Sequence, residues 1–137
     1  MDQLQALAKP FPQRLVQANP TGFGDYVKHS VVVEKLLAVC GPFDFRLLRE
    51  IRDADTNQIV GAVCELTLIV DGRSVTIQEV GDCERPSNWP HDGARLKDAT
   101  SDCIKRAAAR IGVATHLYSG DQFQLYSALS KQAERAE

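Results

Sequence analysis

No two cysteines in this sequence stand close enough together to make a metal knuckle or a redox pair; Cys40, Cys64, Cys83 and Cys103 occur singly. Isolated thiols of this kind are expected to be buried and reduced. The histidines His29, His91 and His116 are equally scattered, with no pair at metal-ligand spacing, and no nucleophile, base and orienting group form a recognisable set. The expectation is therefore a protein with no metal, no cofactor and no enzymatic activity. Gly22-Phe23-Gly24 lacks the preceding strand that a phosphate-cradling loop requires and reads as a bend. Long apolar runs and a secretory leader are also missing, which sets the expectation of a cytoplasmic protein that does not enter a membrane.

An excess of one charge is lacking as well. The 16 basic side chains face 18 acidic ones, for a net charge of -2. That balance excludes a surface that coats nucleic acid on all sides, but it leaves room for a local basic groove, because affinity follows where Lys and Arg lie relative to the phosphates. The basic residues are unevenly placed. In KDATSDCIKRAAARIG, residues 97–112, four of them (Lys97, Lys105, Arg106 and Arg110) sit among alanines.

With 137 residues the chain has the size of one domain. Pro10, Pro12 and Pro20 restrict residues 1–25 to a short helix at Gln3–Lys9 followed by an irregular arm. Phe11, Leu15 and Val16 would then pack on the domain or on a neighbouring subunit. The spacing of Val32, Leu36 and Val39 predicts a helix over Asp25–Val39, stopped by Gly41-Pro42. Three strands follow at Phe43–Arg52, Gln58–Val70 and Ser74–Val80, and Asp71-Gly72 marks a hairpin between the last two. In the middle strand Ala62, Cys64, Leu66, Leu68 and Val70 share one face.

A loop over Glu84–Asp92, carrying Trp89, leads into the long basic helix, and a short helix over Gln122–Glu137 frays at its end. The class is α+β: an N-terminal helix, a three-stranded antiparallel meander, a long helix packed on the sheet, and a short C-terminal helix. The chain divides into an N-terminal arm (1–25), a core domain (26–120) and a C-terminal tail (121–137).

At 100° per residue, Leu96, Thr100, Cys103, Ile104, Ala107 and Ile111 fall in one arc of about 100°, the width of a core-facing stripe. Lys97 and Lys105 lie on one flank, roughly 80° apart, and Arg95, Arg106 and Arg110 form a second stripe, with Asp98 and Asp102 between them. A solvated face laced by i,i+3 and i,i+4 ion pairs accounts for such a pattern by itself. The alanines add a reason to look further. Ala107, Ala108 and Ala109 keep the helix slim, so that another backbone can approach beside Lys105 and Arg106.

The segment resembles the signature helix of the Rad-fifty-two type single-strand annealing proteins, which runs approximately K-E-A-x-T-D-x-L-K-R-A-L-R-x-F-G. Lys97, Asp98, Ala99, Ser101, Asp102, Ile104, Lys105, Arg106, Ala107 and Gly112 match it identically or conservatively without a gap. Upstream, YVKHSVVVEKLLAVCGPFDF (residues 26–45), the VGAVCELTLIVDG hairpin and Glu79-Val80-Gly81 are similar to the family's helix, first hairpin and acidic-V-G step. The similarity spans residues 26–117.

It implies a β-β-β-α domain that assembles side by side into a ring or open spiral, in a compact bacteriophage or bacterial version of the family's DNA-binding domain. It also implies function: single-stranded DNA held in a basic groove by Lys105 and Arg106, with bases exposed for annealing during homologous recombination and DNA repair. A single-strand binding protein or an exonuclease would be further partners.

Two departures from the family pattern move its contacts. The arginine expected three residues after Lys105-Arg106 is Ala109 here, and Arg110 lies about 100° further round. The basic residue of the family's first helix falls on Val31, so that contact passes to Lys28, His29 or Lys35, with Lys28 preferred. Lys97 completes the candidate set. Arg46, Arg49, Arg52 and Arg73 lie near the hairpins as candidate extensions of the groove, and Trp89 is a candidate for stacking on a base, for anchoring its loop or for a subunit contact. Two alternatives compete: a monomeric double-stranded RNA-binding domain, whose basic patch at the helix start Asp92-Gly93-Ala94-Arg95 does not offer, and an oligomeric protein-interaction scaffold.

Overall fold

A computed structural model describes residues 2–18, 25–119 and 125–136, and its elements start and stop where the turn chemistry places them. Helix α1 (Gln3–Ala8) is opened by Asp2, whose carboxylate accepts the Leu4 N–H. Strands β1 (Gln17–Ala18) and β2 (Asp25–Tyr26) form a two-residue antiparallel pair. Helix α2 (His29–Cys40) ends at Gly41, whose φ of +73° favours glycine and whose N–H reaches the Leu37 carbonyl.

The meander is β3 (Asp44–Arg52), β4 (Ile59–Val70) and β5 (Arg73–Asp82), antiparallel in the order β3-β4-β5. Asp71 and Gly72, at φ of 52° and 76°, make the tight β4–β5 turn that Asp-Gly signals. Helix α3 (Asp92–Ala109) follows, then α4 (Thr115–Ser119) and α5 (Leu125–Ala136). The α+β class, the three-stranded antiparallel sheet and the long helix on it are as the sequence predicts.

Two local expectations need correction. Residues 25 and 26 are strand rather than helix, because pairing with β1 holds them extended and Lys28, at ψ 150°, is the first point where the chain can turn helical. The long helix stops at Ala109; Arg110 caps it, Ile111 lies in the following turn, and Gly112 has a φ of +97°. The N-terminal segment follows expectation: its short helix is α1, Phe11 and Val16 pack on the core, and Leu7 and Ala8 are fully buried. The Gly22-Phe23-Gly24 bend and the start of the predicted last helix lie outside the described residues.

The core forms where α3 lies over β4 and β5. Ala62, Cys64, Leu66 and Leu68 are buried on the inner face of β4, as predicted, against Ala99, Cys103, Ile104, Ala107 and Ala108 of α3, with Val32 and Leu36 of α2 closing one side. Burying Leu36 and Leu66 fully contributes about 1.5–3 kcal/mol each. At one end the helix and sheet backbones nearly touch. A Cβ placed on Gly81 would stand 2.2 Å from the Ala99 carbonyl oxygen and 2.6 Å from the Cys103 nitrogen, so only glycine fits there. The small residues Ala62, Cys64, Ala99 and Cys103 fill the same end, and the Cys103 thiol donates to the Ala62 carbonyl at 3.3 Å. Burial pushes the Cys103 thiol far above its ordinary pKa, so it stays protonated.

Helix α3 barely reaches β3. That edge strand is therefore left largely exposed, with Leu47 and Leu48 about half open to solvent and a bulge between Leu47 and Arg49.

Candidate nucleic-acid interface

On the side of α3 away from the sheet, Asp98, Ser101, Asp102 and Lys105 recur at i, i+3, i+4 and i+7, which puts them on one strip. That strip is the floor of an open groove of about 740 Å³. One wall is Tyr26, Lys28, His29 and Ser30, where β2 leads into α2; the other comes from the β5–α3 connection and carries Asp82, Glu84, Arg85, Asn88 and Trp89. Lys105 lies with its Nζ 5.3 Å from the centre of the Tyr26 ring, a cation–π contact that orients the ammonium across the groove. Lys28 precedes the first turn of α2 with no side-chain capping bond, and both it and His29 are exposed.

Arg106 stands at the rim. Its Nε donates to Asp102 Oδ2 at 2.8 Å and its Nη2 lies 3.6 Å from Asp82 Oδ2. The same Asp102 oxygen accepts the Asp82 N–H at 2.9 Å, tying the end of β5 to α3. One turn on, Arg110 donates to Glu79 of β5 and holds that carboxyl below the usual carboxylate range. Arg106 is thus engaged chiefly within α3, and Arg110 with β5. Of these pairs only Arg106–Asp82 is well exposed on both sides, and a contact of that kind is worth about 0–1 kcal/mol.

The charge of the groove is balanced rather than strongly positive. Lys28, Arg85 and Lys105 face Asp82, Glu84, Asp98 and Asp102, and Arg106 offsets two of those carboxylates from the rim. Among the described residues, no group of His, Cys, Asp and Glu is arranged to hold a metal ion, and no helix is long and apolar enough to cross a membrane.

The structure therefore brings Lys28 and Lys105 together, with His29 beside them and Arg106 on the rim. It leaves Lys97 apart: exposed on α3, but not lining the groove. Lys35 is used elsewhere, with its Nζ donating to the Lys9 carbonyl and lying 4.4 Å from the Phe11 ring centre, where burial and the Lys9 charge lower its pKa to about 8. Arg46, Arg49 and Arg73 are on the exposed sheet surface, and Arg52 pairs with Glu50 and Asp92; none of the four lines the groove.

Arg95 leaves the stripe expected for it. It is 8% exposed, and all three guanidinium nitrogens are bonded beneath the loop that carries Trp89. The slim alanine run is also used differently: Ala107 and Ala108 are buried, so the close approach they permit is taken up by the domain's own core.

Two groove residues, Tyr26 and Arg85, escape a reading by helical stripes. Tyr26 sits before the helix in a two-residue strand, and Arg85 adopts a left-handed φ of 53° in a loop. Tyr26 is hidden because helical spacing places it inside the helix predicted over Asp25–Val39. No known protein-family model matches the chain, and no curated protein matches it.

Proposed function

We infer that this protein binds single-stranded DNA along the groove and promotes annealing of complementary strands as a homo-oligomer. The observation that carries the reading is the meeting of Lys28 and Lys105, from separate elements, in one open groove that also holds Tyr26 and Trp89. Cations spaced between aromatic faces are the usual chemistry for gripping a strand by its phosphates and unpaired bases without reading sequence. Annealing then needs no covalent step. The protein extends the strand, lowers the repulsion between two phosphate backbones, and leaves pairing edges free.

Self-association belongs to the same reading. Edge strand β3 presents Leu47 and Leu48 beyond the reach of α3, an apolar strip of the kind that edge strands cover by joining another chain.

The deciding experiment follows annealing of two complementary labelled oligonucleotides at physiological ionic strength, with the oligomer mass measured in parallel. The wild-type chain is expected to accelerate pairing as a multimer, and Lys28→Ala with Lys105→Ala to lose most of that acceleration. An unchanged rate in the double variant would remove the groove from the function. Preference for duplex RNA over the single strand would favour a double-stranded RNA-binding module instead.

A further inference from the structure

Trp89 is the only tryptophan of the chain, and 37% of it is exposed. Large exposed indoles are uncommon on surfaces without a partner, because burying one gains more than leaving it in water. Here the surrounding loop is fixed while Trp89 itself stays part-exposed. Residues Pro86–Asn88 form one 3-10 turn, closed by the Trp89 N–H to the Pro86 carbonyl at 3.1 Å. Beneath it, the buried Arg95 donates from Nε to the Pro86 carbonyl and from Nη2 to the Trp89 carbonyl, each at 2.9 Å.

The third nitrogen of Arg95 binds Asp92 Oδ1 at 3.0 Å, and Asp92 in turn accepts from the Ile59 N–H and from Arg52. The turn is thereby fastened to the first turn of α3 and to the start of β4. A buried guanidinium is costly unless every donor is engaged, and this one is engaged largely with the main chain of one loop. The bonds to the loop act on backbone carbonyls, so they fix the main chain from which the indole projects.

The geometry points to Trp89 as a stacking platform for an unpaired nucleobase, with Arg95 as the positioning residue that holds it at the groove wall. This deepens the single-strand reading above and rests on it. The phosphates of a strand on the floor would meet Lys105 and Lys28, while a base turned toward the β5–α3 wall meets the indole. A duplex, with its bases already stacked on one another, has no free face to offer.

The test uses the full-length chain, an oligothymidylate, and an abasic strand of the same length that keeps the phosphates and lacks the bases. Emission from the single tryptophan is expected to be quenched when the oligothymidylate binds and to change little with the abasic strand; this readout needs no variant. Trp89→Ala should weaken oligothymidylate binding by about 5- to 150-fold, leave abasic binding as it was, and be rescued largely by Trp89→Phe. Arg95→Ala should give the same weakening and leave a more solvent-exposed tryptophan emission. Unchanged emission on binding, or a Trp89→Ala variant that binds both strands as tightly as wild type does, overturns the stacking role. If in those same samples Lys28→Ala with Lys105→Ala still abolishes binding, the groove survives and only the indole is excluded. A wild-type chain that binds neither strand overturns the groove and the stacking role together.

Discussion

Along one side of α3, Ala99, Cys103 and Ala107 press on the sheet with 2% exposure or less, while on the opposite side of the same helix Asp98, Ser101, Asp102 and Lys105 border open solvent. The first side is decided by shape. Backbone and side-chain atoms stand at contact distance, so an added methyl has nowhere to go. The second side is decided by charge, where carboxylates and cations are compensated in pairs that cost little to rearrange. Substitutions on the two sides should therefore appear in different measurements: stability for the first, affinity and salt dependence for the second.

The sharpest break in that comparison is Gly81→Ala. Its new methyl would meet the Ala99 carbonyl at 2.2 Å, and both it and the Cys103 nitrogen belong to helix backbone that cannot swing aside. A loss of more than about 3 kcal/mol is expected, the upper end of overpacking costs, read as a large fall in the urea midpoint or as failure to fold. Gly72→Ala is the control, because nothing lies within 4 Å of its Cβ and only the φ of +76° opposes it; a loss of about 1 kcal/mol is expected.

On the groove side, Lys28→Ala with Lys105→Ala should leave the urea midpoint within about 0.5 kcal/mol of wild type. Binding to a single strand should weaken, and the slope of log affinity against log salt should flatten by about 1.4, or about 0.7 for each phosphate that is no longer neutralised. A double variant that unfolds more readily but keeps its salt slope would erase the distinction between the two sides.

A smaller effect belongs to the packed region where the N-terminal arm meets α4. His116 lies with its ring 6.1 Å from that of Phe11, and burial together with the Lys35 charge lowers its pKa from the ordinary value. The unfolded chain takes up this proton near pH ~6.5, the native chain only at lower pH, so the unfolded state binds more protons in between. Stability that is complete above pH ~6.5 is lost as pH falls toward the native value. Urea midpoints taken at about pH 7.5 and about pH 5.5, on either side of that value, should show this fall in wild type and a shallower one in His116→Phe.

Much of the fold was legible because local and global signals agreed. Alternation in β4, the Asp71-Gly72 turn and the Gly41-Pro42 stop each named an element that the tertiary structure had no reason to override. The floor of the groove was legible only in part, since helical spacing puts Lys105 near Asp102 but also set Lys97 on the Lys105 flank, and Lys97 does not line the groove. Arg95 was not legible. Its angle on the helix placed it with Arg106, and only the loop folding back over it buries it. The alanines misled for a related reason: a slim helix says that something approaches, and here the domain's own sheet and α2 do so. Lys35 was withdrawn by contacts with Lys9 and Phe11, far away in sequence, that helical periodicity cannot express.

The smallest expected effect tests whether the groove's balance of charge limits its own affinity. Asp82 is the carboxylate to change. Its side chain is 65% exposed and meets Arg106 only at 3.6 Å, whereas Asp102 also holds the β5 main chain and would confound stability with charge. Asp82→Asn keeps the shape, removes one of the four carboxylates that line the groove, and loosens one of the holds on Arg106. An exposed pair of this kind contributes under about 1 kcal/mol, so affinity for a single strand should rise about two- to fivefold at low salt and return to wild type as salt screens the charge. The urea midpoint should stay nearly unchanged. A weaker affinity in Asp82→Asn would mean that the carboxylate orients Arg106 toward the strand rather than competing with it, and Arg106→Lys, which loses the planar guanidinium fork held between the two aspartates, would then reproduce the loss.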